Sequence, residues 1–257
     1  PPMPHRPLAL ALLLLALGLA APAAAPGLAD GPLEAEERAL LRSEVRRYLL
    51  EHPEVIMEAI QVLEQRRRDA ESAAEADLVA RLADEIFEDG YSYVAGNPDG
   101  DITVVEFLDY QCGYCKRAHP EVRELVESDP GLRYVIKEFP ILGPASLTAA
   151  RAAMAAMEQD DGRRYLAFND ALMEHEGRLT DAAVWEIAGE VGLDVARLRE
   201  DAASDAIAGR IDRTRSLARA LNIEGTPTFV IGDRLVRGYV PLERMRDAVA
   251  EARAEEG

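Results

Sequence analysis

The stretch from Ile102 to Cys115 constrains the fold more than any other part of the chain. Ile102-Thr103-Val104-Val105-Glu106-Phe107 is apolar on both faces apart from Thr103 and Glu106, the pattern of a central strand covered on both sides. Asp109-Tyr110-Gln111-Cys112-Gly113-Tyr114-Cys115 follows at once, and a helical run then continues through Ser128. Leu132 to Phe139 is a second buried strand, so the three segments make a βαβ unit with both cysteines of the chain at its first turn. Upstream, Tyr91-Ser92-Tyr93-Val94 predicts an edge strand before the turn signal Gly96-Asn97-Pro98-Asp99-Gly100. Downstream, Ala145 to Leu221 is helical by composition, with breaks near Gly162, Gly177 and Gly192. Thr228 to Ile231, a turn at Gly232-Asp233 and Arg234 to Val236 predict a β-hairpin, and a helix from Pro241 closes an α/β fold.

Composition narrows the function classes. With 257 residues, 48% of them hydrophobic, the chain can bury a sizeable core, which excludes disorder over most of its length. Its 29 Lys and Arg against 47 Asp and Glu give a formal charge of -18, which argues against a nucleic-acid partner. Two cysteines are too few for a disulfide-stapled scaffold or a four-cysteine zinc site. Leu8 to Ala21 (LALALLLLALGLAA), after His5 and Arg6 and before small residues, reads as a secretory signal peptide over residues 1–29, with cleavage after Ala29 or, second, after Ala23. The competing reading is a retained membrane anchor, since Leu8 to Ala29 is just long enough to span. Export would put the cysteines where disulfides can exist.

From Leu33 to about Phe87 there is no Gly and a single Pro, so the region can be almost wholly helical. Leu40, Leu41, Val45, Tyr48 and Leu49 fall at helical spacing until His52-Pro53 interrupts, and Val55, Ile56, Ile60 and Leu63 continue on a second helix. Gln65 to Asp77 is polar or Ala throughout and reads as a solvated helical linker. Helices this short and tethered must pack on the next domain or on copies of themselves.

The chemistry sits at the strand-to-helix junction. A C-x-x-C pair in a βαβ pattern is a redox signature, with Cys112 at the first exposed position, where free helix amides stabilise a thiolate, and Cys115 one turn on as the resolving thiol. A soft metal ion held by the two thiolates and His119, four residues beyond Cys115, is the alternative use of the same residues; the cofactor and metal expectation is none. Glu106, the only carboxylate of the central strand, is expected to be buried near the resolving thiol and to exchange its proton, or else to reach solvent at the strand end. Gly225-Thr226-Pro227-Thr228 puts a proline before a strand, which demands an edge, a bulge or a cis bond.

Taken together, Phe107 to Lys116, the Phe139-Pro140 pair, the long helical insertion and Gly225-Thr226-Pro227-Thr228-Phe229 resemble the DsbA family of thiol–disulfide oxidoreductases. The resemblance implies a thioredoxin fold over residues 89–257 with a helical subdomain inserted at about 145–221. It also implies an active Cys112/Cys115 pair, a match of Glu106 to the family's buried acid, a cis Pro227, and a peptide groove to which Gly113, Tyr114, Thr226 and Pro227 contribute. The archetype has Pro-His between its cysteines and Val before the cis proline, so Gly113-Tyr114 and Thr226 move the expected activity toward disulfide shuffling or reduction. The amino-terminal helices, residues 30–88 with their linker, resemble the oligomerisation segment of the trimeric isomerases of the copper-sensitivity-suppressor C type. The implied protein is a periplasmic disulfide isomerase acting as a homo-oligomer, a trimer, on cysteine-containing exported proteins, with a membrane redox partner. A monomeric dithiol oxidase and a copper-binding protein are the alternatives.

Overall fold

The computed structural model describes residues 34–159 and 162–256, so the leader expected at residues 1–29 lies outside the described residues. Among the described residues, no helix is long and apolar enough to cross a membrane. The chain divides into two compact units between Gln61 and Val62. The first contains α1 (Ala35–Glu51) and the start of α2 (Glu54–Arg81). His52 ends α1 by donating its N–H to Tyr48 O, and Pro53 lies immediately before α2. α1 buries none of its residues, and Leu40, Leu41, Val45, Ile56 and Ile60 are exposed. The polar stretch Gln65 to Asp77 is helical and largely exposed, with the i,i+4 contact from Gln65 to Asp69 at 2.7 Å on its surface.

The second unit is built on one five-stranded sheet in the order β1-β3-β2-β4-β5, comprising β1 (Tyr93–Gly96), β2 (Ile102–Leu108), β3 (Leu132–Glu138), β4 (Thr228–Ile231) and β5 (Arg234–Arg237). β2 and β3 run parallel, joined by α4 (Gly113–Ser128), and the other neighbours are antiparallel. β2 is central and all but Thr103 of it is buried, as its two-sided apolar pattern requires. Its side chains alternate between two cores. Ile102, Val104 and Leu108 join Tyr134 and Ile136 of β3 in the core under α4 and α10 (Leu242–Glu256). Val105, Phe107 and Val135 face the other way, onto Val79 of α2 and Ile86 of α3 (Ala83–Phe87). The insertion supplies α5 (Pro144–Ala156), α6 (Tyr165–Glu174), α7 (Asp181–Glu190), α8 (Val195–Ala202) and α9 (Asp205–Ala220).

Two boundaries differ from the sequence expectation. The edge strand begins at Tyr93 rather than Tyr91, because the Asp89 carboxylate accepts the N–H groups of Tyr91 and Ser92 at 2.9 and 2.8 Å and holds them in a turn. It runs on to Gly96, whose φ of +70° and missing Cβ let it approach Leu132 O, which a Cβ would meet at 2.5 Å. The break between α8 and α9 has no glycine; there Ser204 caps α9 by accepting the Ile207 N–H.

Asp109, 1% exposed, ties the turn after β2 to the connection after β3. Its Oδ1 accepts Gln111 N–H at 2.8 Å and Ser146 Oγ at 2.7 Å, and its Oδ2 accepts the N–H groups of Ile141 and Leu142 at 2.8 and 3.0 Å. Asp109→Asn places an amide NH2 against donors at one of those sites. The expected cost is about 3 kcal/mol, read as a fall in Tm of roughly 6–12 °C in thermal unfolding; an unchanged Tm would show that the knot is replaceable by solvent.

Candidate active site

Cys112 occupies the N-cap of α4, with extended backbone at φ -75° and ψ 114°. Its N–H donates to Asp109 O at 2.9 Å and its carbonyl accepts Lys116 N–H at 3.0 Å, the first turn of the helix ladder. Both cysteines are free thiols; Cys112 retains 7% exposure, whereas Cys115, one turn along, retains none. The Thr226–Pro227 bond is cis, Pro227 is buried, and Cys112 Sγ lies 3.1 Å from Thr226 O. Gly113 and Tyr114 are exposed beside the pair. Four sequence-singled positions, Cys112, Cys115, Thr226 and Pro227, therefore meet at the end of the sheet.

The two thiols are held in opposite protonation states. Cys112 is lowered to about 5, first by the hydrogen bond from the Cys115 thiol. Burial opposes this, and the Thr226 side chain and the N–H groups of Cys115 and Tyr114 reinforce it. The helix amides expected to stabilise the thiolate thus contribute, but the neighbouring thiol contributes more. Cys115 is driven far upward by giving its hydrogen to Cys112, then by burial and by the charge of Glu106.

Glu106 is 3% exposed, so it does not reach solvent at the strand end. Burial raises its carboxyl to about 7, against the hydrogen bond from Tyr134 and the charge of His119, while the Cys112 thiolate adds to the rise. Tyr134 Oη donates to Glu106 Oε2. A second acid on the same face, Glu138, escaped the sequence reading; burial raises it to about 8 although two tyrosines donate to it. Tyr110 and Tyr165 both reach Glu138 Oε1 at 2.7 Å, and Asn169 donates to Tyr110 at 3.1 Å. Glu138 thereby locks the cysteine turn to α6. Ile141 and Leu142, exposed apolar side chains suspended from Asp109, also went unnoticed, although an apolar pair after Phe139-Pro140 was a signal.

His119 does not join the cysteines as a third ligand. Its Nε2 lies 3.0 Å from Asp170 Oδ1 on α6, and among the described residues no group of three His, Cys, Asp or Glu is placed to hold a metal ion. His52 is exposed beside Glu54, and the His175 carbonyl accepts Lys116 Nζ at 2.6 Å.

The origin of the Cys112 thiolate can be separated by substitution. Cys115→Ala removes the leading donor and should move the Cys112 titration, followed by thiolate absorbance against pH, clearly above 5, while Cys115→Ser keeps a hydroxyl donor and should shift it less. Equal titrations in the two variants would assign the effect to the helix amides and Thr226 instead.

Comparison with known proteins agrees with this geometry. A family model described as the DSBA-like thioredoxin domain matches residues 103–250. A second, the copper resistance protein ScsC N-terminal domain, matches residues 37–70. A thioredoxin-like oxidoreductase from Silicibacter pomeroyi DSS-3 is 46% identical, with a TM-score of 0.64 over 66% of this chain and 97% of that one. ScsC from Proteus mirabilis in a compact conformation is 29% identical, with a TM-score of 0.64 over 87% of this chain and 99% of its own. Among curated relatives, the Na(+)/H(+) antiporter NhaA 3 of Salinispora tropica is 35% identical over 162 residues, 62% of this chain. The chain spans about a quarter of that relative's length, 24%. With its family model covering more than half of the sequence and its cysteine pair at the family's strand-to-helix turn, the chain belongs to the DsbA-like thioredoxin family and is a disulfide oxidoreductase.

Proposed function

We propose that the protein is an exported, periplasmic disulfide isomerase that works as a homo-oligomer on cysteine-containing proteins. The observation that carries the chemistry is the split thiol pair above a buried carboxyl. The Cys112 thiolate attacks a substrate disulfide, one substrate sulfur leaves with the electron pair, and a mixed disulfide to Cys112 results. Cys115 then gives its proton to Glu106 and attacks Cys112 Sγ, releasing the second substrate thiolate; if a substrate thiol attacks first, the disulfide is reshuffled and the enzyme returns reduced. Tyr114, Ile141 and Leu142 give this end of the sheet an exposed apolar rim for an unfolded polypeptide, and Thr226 O lies beside the attacking sulfur. Export rests on the Leu8 to Ala21 leader sequence, and a redox partner at the membrane is the expected source of reducing equivalents.

Self-association is supported by unit one. Leu41, Val45, Leu49, Leu50 and Ile56 line an open apolar groove of about 530 Å³ between α1 and α2, and the ScsC N-terminal match covers the same helices. Burying each such side chain contributes about 1.5–3 kcal/mol, so a few per subunit support a trimer. A second reading, a monomeric dithiol oxidase, is favoured by the Cys112 titration at about 5, because a stabilised thiolate favours the reduced pair and makes its disulfide oxidising.

Light scattering should find the mature protein oligomeric at micromolar concentration. Leu41→Glu/Val45→Glu/Ile60→Glu should be monomeric, with refolding of a scrambled disulfide substrate reduced several-fold and simple dithiol oxidation retained. A monomeric wild type would transfer the reading to the oxidase. For the dithiol step, Glu106 takes the Cys115 proton only as the carboxylate, so release of substrate from the mixed disulfide should rise with pH, with its inflection below the value of about 7 that Glu106 has while the Cys112 thiolate is present. Stopped-flow measurement on Glu106→Gln should lose that inflection; an inflection that survives would remove Glu106 from the mechanism.

A further inference from the structure

Each turnover that oxidises the dithiol leaves a proton on Glu106, which is buried and accepts the Tyr134 hydroxyl, and a cavity beside Tyr134 offers that proton an exit. A cavity of about 290 Å³ lies behind α4, walled by β1, β3, α4 and α6, with room for several waters. Tyr134, whose hydroxyl donates to Glu106, forms part of its wall. On the α4 side stands His119, and from α6 come Asn169 and Asp170. A second, outer cleft of about 480 Å³ is lined by Lys116, Arg123, Glu174 and the same His119. His119, 9% exposed, borders both the cavity and the open cleft, as do the exposed Arg123 and Glu127.

The electrostatic setting suits a group that gains and loses a proton. His119 Nε2 is 3.0 Å from Asp170 Oδ1 yet out of line for a hydrogen bond, and Asp170 Oδ2 is held by Arg123 Nη1 at 3.1 Å. The titratable and charged groups that line these spaces with the imidazole are Asp170 and Glu174 from α6, Lys116, Arg123, Glu124 and Glu127 from its own helix, and Tyr134 from β3, with the Glu106 charge reaching it from β2. The imidazole thus sits beside the Asp170 carboxylate.

We propose that this cavity is the proton exit of the redox site, with His119, positioned by Asp170, as the relay between Glu106 and solvent. The proposal rests on the role of Glu106 given above. In the resolving step the Cys115 S–H bond breaks and its proton goes to Glu106. The Cys115–Cys112 bond forms, the bond from Cys112 to the substrate breaks, and the substrate sulfur leaves as a thiolate that takes a proton from solvent. The enzyme dithiol has lost two electrons to the substrate disulfide. Glu106 then passes its proton to the Tyr134 oxygen as Tyr134 gives its own to cavity water. His119 accepts that proton and releases it to the cleft; when the enzyme oxidises a substrate the sequence runs backward.

The test is multiple-turnover exchange with a peptide disulfide, against pH, in wild type, Glu106→Gln, His119→Gln, His119→Gly and Ala95→Phe, the last filling the cavity from β1 with His119 intact. For His119→Gln and Ala95→Phe the relay requires a high-pH plateau lower by about 10- to 100-fold, and for His119→Gly partial recovery of rate with added imidazole. Removing the His119 charge alone would move the inflection to higher pH and leave the plateau in place, so that result overturns the relay. A lowered plateau without imidazole rescue and without an effect of Ala95→Phe overturns it too, as a merely structural loss. If Glu106→Gln exchanges like wild type, the Glu106 reading itself fails; if it is slow while His119→Gln and Ala95→Phe match wild type, the relay alone fails.

Discussion

The register of β2 against β3 is the constraint on which the site depends. Glu106 lies opposite Ile136, and in a parallel pair with alternating side chains this turns Tyr134, Ile136 and Glu138 toward α4 together with Glu106. A slip of one residue would instead bring Arg133 and Lys137 beneath the cysteines. In the observed register the basic pair lies on the opposite face, where fully buried Lys137 reaches the Asp89 carboxylate and donates to Glu85 O at 2.8 Å. Burial lowers Lys137, the Arg133 charge adds to the fall, and Asp89 works against that loss of charge. Among the described residues the acid face receives no such lysine, and the His119 charge lowers Glu106 less than the Tyr134 hydrogen bond does. Glu106 and Glu138 are instead met by phenols, which hydrogen-bond a carboxylate without neutralising it, so both acids stay far above the usual carboxylate range.

The helical insertion completes the arrangement rather than merely covering it. Tyr165 of α6 shares Glu138 with Tyr110 of the cysteine turn, and Ser146 of α5 shares Asp109 with the backbone of the same turn. Cys112 is thereby fixed from both sides of its turn by carboxylates whose partners come from the insertion. Such polar networks specify one arrangement because a partly satisfied one leaves buried donors without acceptors. The rigidity matters for the dithiol, since the stabilisation of Cys112 depends on the Cys115 thiol staying within hydrogen-bonding reach.

Much of this was legible in the sequence where periodicity or local spacing carried it. The two-sided apolar run at Ile102–Phe107, the C-x-x-C turn, the hairpin at Thr228 and the helical character of the insertion each follow from residues close together in the chain. Glu106 could be singled out because it stands alone in an apolar strand. Its partner could not: Tyr134 is 28 residues away and reaches it only through the strand register. Asp109 was visible as part of a motif, but its acceptor role depends on Ile141 and Ser146, which are 32 and 37 residues distant. His119 is spaced one turn from Cys115 and so suggested a metal ligand. Asp170, contributed by a helix of the insertion, sets its surroundings instead.

The two cysteines and the acid beneath them are best understood as one proton shared unequally. The Cys115 hydrogen bond that holds Cys112 as a thiolate also keeps Cys115 protonated, so near neutral pH the reduced pair carries a nucleophile and its own stored acid. Attack on a substrate removes the Cys112 charge, and with it the principal force raising Cys115. The same event relieves Glu106, whose carboxyl is raised by that thiolate charge as well as by burial. Formation of the mixed disulfide therefore lowers both groups, preparing Cys115 to release its proton and Glu106 to hold a charge that can receive it. Neither group needs to move. The change in covalent state at Cys112 supplies the electrostatic signal, and the low-dielectric core beneath α4 transmits it over the short distance to the strand.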